Sequence, residues 1–500
     1  MTFSVEVDVL VPMRDGIALA TNLWRPDGPG PFPALLLRTP YGKDDAELYG
    51  NPKLPDVFEL VAAGYVVVAQ DVRGTSRSSG LFEPHVHEAA DTLDTLAWLT
   101  AQPWCDGSVG MWGGSYMGFS QWLAAPHAPV ALRAIAPTMS SADPYAAPWR
   151  SPSGALSEDA VLTWGARFPG WVDTVGAHPE RDSFWQAISA SDDYDRITVP
   201  ALQVGGWYDV FIRETVRSYA MMRQHGGSAA ARDGQRLLIG PWAHADGMDL
   251  GTFADRSFGP ASSIKAAGIT DEHLRFFDRW VRGRTDRPEE PHRVRIFVMG
   301  IDEWRDELDW PLPDTRRTGF FLAGNGVLTR EAAEVDAVST YRYDPEQPVP
   351  SAGGTVLGAS AGPADQSAVE ARDDVLCFST DVLEHPVEVT GEVTLVLHVS
   401  SSASDTDFTG KLVDVHPDGK AIVLCEGIQR TRHREPGEVY QLTIDVGVTA
   451  NVFRPGHRIR LEVSSSCFPR YDRSPTSAVI QVHHGPAHPS RLDLPLIERA

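Results

Sequence analysis

Three residues in this chain stand where nucleophilic catalysis would need them. Ser115 lies in "GMWGGSYMGFS" (residues 110–120), between glycines, after a short apolar run and before a helical stretch. A serine on a tight strand-to-helix turn is the geometry of a nucleophile elbow, whose usual pattern is G-x-S-x-G. Here Gly113 takes the first glycine position, Met117 replaces the second, and Gly118 follows one place late. Taken alone, the segment supports a nucleophile and a structural Gly-rich turn equally. Further along, "ALQVGGWYD" is an apolar run ending in Asp209, and "RLLIGPWAH" is another ending in His244. Ser, then Asp, then His after successive strands is the order in which hydrolases of α/β type place nucleophile, orienting acid and base. In that arrangement His244 takes the Ser115 proton, Asp209 orients the imidazole, and Ser115 carries the acyl group. The oxyanion donors expected are the Tyr116 backbone N–H and, because "RTPYGK" offers no HGGG-type loop, the phenol of Tyr41.

The elements that must position these residues alternate in kind. "FPALLLRTP", "YVVVAQ" and "GSVGMWG" are apolar enough for buried parallel strands, and "AADTLDTLAWLTAQ" and "YMGFSQWLAA" have helical spacing. "VPALQVGGWYDV", "QRLLIGPWAH" and the amphipathic "DEHLRFFDRWVRGR" continue the rhythm, which predicts a parallel α/β sheet. Residues 141–195, rich in Pro, Trp, Ser and Ala, interrupt it as a small helical cap inserted at the strand C-terminal edge. After "WPLPDT" the chain changes to short alternating strands, an all-β sandwich or jelly roll, with "AEVDAVST" and "PVPSAGGTV" read as loops at its start. The expected domains are therefore a discontinuous catalytic domain (1–140 and 196–313), the cap (141–195) and a β domain (314–500).

Composition narrows the function. The 500 residues carry a formal charge of −23, which disfavours a nucleic-acid partner. Four scattered cysteines form no C-x-x-C pair, so neither a zinc site nor a disulfide framework is expected, and free thiols suit a reducing compartment. No secretory leader and no membrane-spanning run are evident, which predicts a cytoplasmic protein. No metal or cofactor is needed for the mechanism, and exposed strand edges offer a route to a homodimer. "HVH" (His85–His87) reads as solvent-exposed histidines without a third ligand, and "DVRG" as an Asp71–Arg73 contact. Trp149, Trp164 and Trp171 could line an acyl pocket or form the core of the insertion.

The blocks "GGSYMG", "GGWYD" and "GPWAH", with "VRIFVMGIDEWRDELDWPLPDT" and "NVFRPGHRIRLEVSSSCFPRYDR", resemble the serine hydrolase family of Xaa-Pro dipeptidyl-peptidases, α-amino-acid ester hydrolases and cocaine esterases along nearly the whole chain. The resemblance implies an α/β-hydrolase domain with a helical cap and a C-terminal jelly roll. It puts Ser115, Asp209 and His244 on the triad, Tyr41 and Tyr116 on the oxyanion hole, and Trp149, Trp164, Phe211 and Phe408 around the acyl group, Phe408 reaching in from the β domain. The cap is shorter than in the cocaine esterase type, so substrate identity is not carried over. The expected activity is a serine carboxylesterase on small apolar or aryl (benzoyl-type) esters. The alternatives are a peptidase or amino-acyl hydrolase, for which Glu158 and Asp159 would have to hold a free α-amine, and a non-catalytic binding protein.

Overall fold

The computed structural model describes residues 2–45, 50–286 and 292–499. In the catalytic part the strands are β1 (Phe3–Pro12), β2 (Ala18–Pro26), β3 (Phe32–Thr39), β4 (Val66–Asp71), β5 (Cys105–Gly114), β6 (Leu132–Thr138), β7 (Leu202–Tyr208), β8 (Arg236–Ala243), β9 (Val294–Val298) and β10 (Glu303–Glu307). Among the described residues they form one sheet in the order β1-β2-β4-β3-β5-β6-β7-β8-β9-β10. From β4 to β9 the pairings are parallel, and β1, β2 and β10 add antiparallel edges. β4 and β7 are buried at every position. This is why their sequences read as continuous apolar runs: helices cover both faces of the sheet, and alternation is lost. The architecture is an α/β hydrolase.

Between β6 and β7 the chain leaves the sheet and forms the cap. Its short helices include Glu158–Leu162, Pro169–Ala177 and Ser183–Ala187. Their packing core is aromatic: Tyr145, Trp149, Trp171 and Trp185 are all buried together. The cap is tied to the β domain by several hydrogen bonds. Asp159 accepts from the N–H groups of Leu357 and Gly358, and its own N–H donates to the Pro469 carbonyl. Leu156 N–H donates to Asp472, and Arg470 donates to Ser157 Oγ.

The C-terminal part, from the strand Thr315–Ala323 to the strand Arg491–Ile497, is a jelly-roll β domain. Its longest pairing joins Val387–Ser401 to Tyr440–Phe453, antiparallel. One segment differs from expectation. "AEVDAVST" was expected to be a loop, but Ala337–Tyr343 is a strand, paired antiparallel with Ala478–His484. Val338, Thr340 and Arg342 face outward and only Tyr341 and Tyr343 are buried, so the strand shows little of the hydrophobic run that marks the others. The "PVPSAGGTV" segment is irregular and leads to Leu357. No described helix is long and apolar enough to cross a membrane, and the four cysteines are free.

Between the strands that lead to Asp209 and His244, Gly206 leaves no room for a side chain. A Cβ there would lie 2.2 Å from the Trp242 carbonyl oxygen. Gly206→Ala is therefore expected to cost about 1–3 kcal/mol of stability through overpacking, read as a lower midpoint in urea unfolding. An unchanged midpoint would mean that β7 and β8 have more room than their geometry indicates.

Candidate active site

Ser115 sits between β5 and the helix Tyr116–Ala124 at φ 58°, ψ −125°. This is a strained conformation for a non-glycine residue, of the kind that collects at functional sites. Small neighbours make it possible. Gly113 has φ 130°, and a Cβ on it would lie 2.6 Å from Met117 Cβ, so the elbow keeps one glycine at this contact where the usual pattern has two. Gly118 packs against the end of β6 and the residues after it, where a Cβ would lie 2.4 Å from Ser140 Cβ. Ser115 N–H donates to the Thr138 carbonyl at 2.9 Å. Gln121, fully buried, donates to the carbonyls of Gly113 and Met117 and accepts from Ala136 N–H. Nothing local in the sequence marks Gln121 for this task.

Asp209 and His244 come from the ends of β7 and β8, as their strand-terminal positions require. With the proton on Nδ1, His244 donates to Asp209 Oδ1 at 2.7 Å, and its Nε2 lies 3.1 Å from Ser115 Oγ as the acceptor. Asp209 is fully buried, and its second oxygen accepts from Phe211 N–H at 3.2 Å. Burial, with Lys53 as a further cause, lowers the His244 pKa below its ordinary value, while Asp209 opposes the shift. The imidazole is thus neutral at pH 7 and able to accept a proton.

Tyr41 faces the same point from the loop after β3. Trp164 Nε1–H donates to its phenol at 3.3 Å, and Tyr41, Ser115 and Tyr116 line the same cleft. Burial raises the Tyr41 pKa, so the phenol stays protonated. The Tyr116 side chain reaches into a buried polar chain. Its hydroxyl accepts from His85 N–H and donates to Glu88 Oε1, both at 2.9 Å. Glu88 in turn pairs with the fully buried Arg38, which also donates to Gln70 and Thr92.

Around Ser115 the cleft has a volume of about 370 Å³. Trp149, Trp164, Phe211, Phe119 and Leu357 form its apolar wall, and Lys53 and Arg167 lie on the polar side. Three of the four aromatic residues expected around the acyl group are there. Phe408 is not. It is fully buried in the β-domain core on the strand Thr406–Val415, edge-on to Tyr440. The β domain contributes Leu357 instead, from the irregular segment that Asp159 holds.

Three other expectations also change. His85 is buried, not exposed: at φ 68° it turns inward, lines the cleft and stacks on Tyr116 with ring centroids 4.9 Å apart. Burial pushes its pKa down to about 3, so it stays neutral. Asp71 does not pair with Arg73. Asp71 accepts from the N–H groups of Lys43 and Arg77, while Arg73 pairs with Asp91 and Asp15, because the two side chains leave the strand end in different directions. Glu158 and Asp159 are absent from the cleft wall, since Asp159 is committed to the cap–β-domain seam.

Comparison with known proteins gives the family. A model of the X-Pro dipeptidyl-peptidase (S15 family) matches residues 15–168 and 165–246, and a model of the X-Pro dipeptidyl-peptidase C-terminal non-catalytic domain matches residues 288–493. Cocaine esterase of Rhodococcus sp. (strain MB1 Bresler) is 44% identical over 579 aligned positions covering 99% of each chain. The alignment is longer than this chain, so that relative carries insertions. An aminopeptidase from the marine sediment archaeon Thaumarchaeota archaeon superposes with a TM-score of 0.86 at 25% identity, covering 99% of this chain and 97% of that one. An α-amino acid ester hydrolase superposes with a TM-score of 0.81 at 25% identity, covering 99% and 96%. The chain is a serine ester hydrolase and belongs to the X-Pro dipeptidyl-peptidase (S15) family.

Proposed function

We propose that the chain hydrolyses small, largely apolar esters, with preference for an aryl acyl group such as benzoyl, through an acyl-enzyme on Ser115. The observation that carries this reading is the apolar wall of Trp149, Trp164, Phe119, Phe211 and Leu357 beside the hydrogen-bonded row Ser115–His244–Asp209. Ser115 Oγ attacks the ester carbonyl carbon while His244 Nε2 takes its proton. The carbonyl oxygen becomes an oxyanion held by the Tyr116 N–H and the Tyr41 hydroxyl. Collapse breaks the bond to the alcohol oxygen, which leaves with the proton from His244. Water then repeats the sequence on the acyl-enzyme and releases the acid. Asp209 stabilises the imidazolium at each stage.

Hydrolysis of substrates with a free α-amine is less well supported. That activity needs carboxylates to meet the ammonium, and among the described residues Asp45 is the one carboxylate on the cleft wall.

Three measurements test the reading. Wild type is expected to cleave p-nitrophenyl acetate, butyrate and benzoate and to leave Xaa-Pro anilides nearly untouched, while Ser115→Ala loses turnover on all of them. Tyr41→Phe is expected to lower kcat by about 10²–10³, the cost of about 2.7–4 kcal/mol for one oxyanion donor, with a small change in KM. Cleavage of anilides faster than esters would transfer the site to the amino-acyl reading.

The pH dependence has a defined sign. The base works only as neutral imidazole, so kcat/KM rises with pH through the His244 pKa, at an inflection below the ordinary histidine value of about 6.5. Removing the Lys53 charge in Lys53→Met is expected to move this inflection upward. An inflection that stays in place would show that Lys53 does not act on His244. Finally, Phe211→Ala is expected to raise KM for the benzoate about tenfold, the scale of one lost apolar side-chain contact, and to change KM for the acetate far less. Equal effects on both would remove Phe211 from the acyl pocket.

A further inference from the structure

A second group of chemistry-bearing side chains lies in the β domain, against its seam with the catalytic domain. Asp414 is the last residue but one of the strand Thr406–Val415, and His416 follows the strand's end. Alternation puts the two on one face. The strand pairs antiparallel with Arg458–Ser464, and the pairing ends with Val415 opposite Arg458. One residue further, His416 and His457 meet, with ring centroids 4.5 Å apart. His457 Nδ1 lies 2.8 Å from Asp414 Oδ1, and His416 Nε2 lies 3.7 Å from Asp414 Oδ2. The three side chains place one donor atom each within 4.8 Å of the other two. The two separations from Asp414 bracket a spacing of about 3.3 Å, which neighbouring donors take on a tetrahedral cation with bonds of about 2.0–2.1 Å.

These side chains open onto a cavity of about 100 Å³, room for a cation and a water. Tyr208, Phe258 and Met299 bound it from the catalytic domain. Tyr208 directly precedes Asp209, and its hydroxyl donates to the Val423 carbonyl of the β domain at 3.2 Å. Asp414 is buried, and among the described residues it is the one carboxylate on the cavity wall. His416 and His457 are partly exposed, and among the described residues no hydrogen bond fixes the His416 ring, which is free to close on a ligand. Two arginines share the wall. Arg256 is held by both Asp302 oxygens and so adds no net charge, and Arg454 is exposed, where water screens it.

We propose that Asp414, His416 and His457 bind a zinc-class divalent cation at this seam, with the fourth position facing the cavity. Two imidazoles and a carboxylate are a donor set that zinc takes, and three protein ligands leave one position for water. Magnesium and calcium prefer oxygen donors throughout, so the two histidines select against them. On binding, His457 coordinates through Nδ1 and carries its proton on Nε2. This is a change of tautomer, and a neutral ring releases no proton. His416 coordinates through Nε2. Asp414 contributes one oxygen, and the Asn451 amide, 3.5 Å from Oδ2, is placed to steady the carboxylate. The cation joins the ends of two β-domain strands beside Tyr208, so it stiffens the seam and takes no part in ester cleavage. The site contains no cysteine, so cysteine spacing carries no sign of it.

The test uses the full chain, free of a polyhistidine tag and first stripped with a chelator. Isothermal titration with zinc chloride is expected to show one saturable site per chain. Cobalt(II) in its place is expected to give the intense visible absorption of a tetrahedral site. His416→Ala is expected to weaken zinc binding about tenfold or more and to leave ester hydrolysis unchanged. His416→Gln, which keeps the volume, serves instead if the alanine variant folds poorly. His488→Ala, beside the separate histidines His398 and His483, is expected to leave zinc binding as it is. The proposal is overturned if no saturable zinc binding appears, or if cobalt gives only weak octahedral bands. It is also overturned if the His416 variants bind zinc as tightly as wild type, if His488→Ala removes the binding, or if magnesium binds as tightly as zinc.

Discussion

A non-glycine residue at φ 58°, ψ −125° costs about 1–3 kcal/mol of backbone strain, and the site is organised around holding Ser115 in that state. β5 and β6 fix one side of the turn through the Thr138 carbonyl. Gln121 fixes the helix behind it, and the glycines at 113 and 118 clear the space it needs. Tyr116 is held from its far end, where the phenol is fastened to Glu88 and so to Arg38. The ring between phenol and backbone lies against Trp164 and His85 of the cleft wall. The turn that strains Ser115 is also the one that brings it to the cleft with Tyr116 next in the chain.

The surroundings of this turn come from all three parts of the chain. The sheet supplies Asp209, His244 and Ser115 at its strand ends, the cap supplies Trp149 and Trp164, and the β domain supplies Leu357. Asp159 connects the last two: it sits on a cap helix and holds the backbone N–H groups of Leu357 and Gly358. A short cap has little core of its own, and its aromatic cluster is small. Its many bonds to the β domain supply much of the rigidity that a larger cap would gain from internal packing. The acyl wall is thus kept in place by a seam far from the reacting atoms.

Much of this was legible in the sequence where chemistry and hydrophobic pattern coincide. Ser115, Asp209 and His244 each follow an apolar run, so the strand that positions the residue announces it. The parallel sheet and the inserted helical cap could be read for the same reason. What escaped is determined by partners distant in sequence. Arg73 finds Asp91 on a helix, Tyr116 finds Glu88, and Gln121 finds β6, and no local spacing encodes those pairs. His85 was hidden by a left-handed backbone turn inside an irregular loop, where no periodicity says which side chains turn inward. Phe408 shows a different difficulty. Its strand is buried on both faces, so alternation cannot say which face meets the site, and the β domain reaches the cleft through an irregular loop.

The central claim is that an acyl group passes through Ser115, and the most direct measurement is to catch it there. Rapid mixing with a slowly deacylating aryl ester, acid quenching and peptide mapping by mass spectrometry would locate the acyl group. The account predicts one acyl group per chain on the peptide containing Ser115, formed at the rate of the initial burst of alcohol. A burst with the acyl group on another residue, or turnover with no acylated peptide at any time, would contradict it.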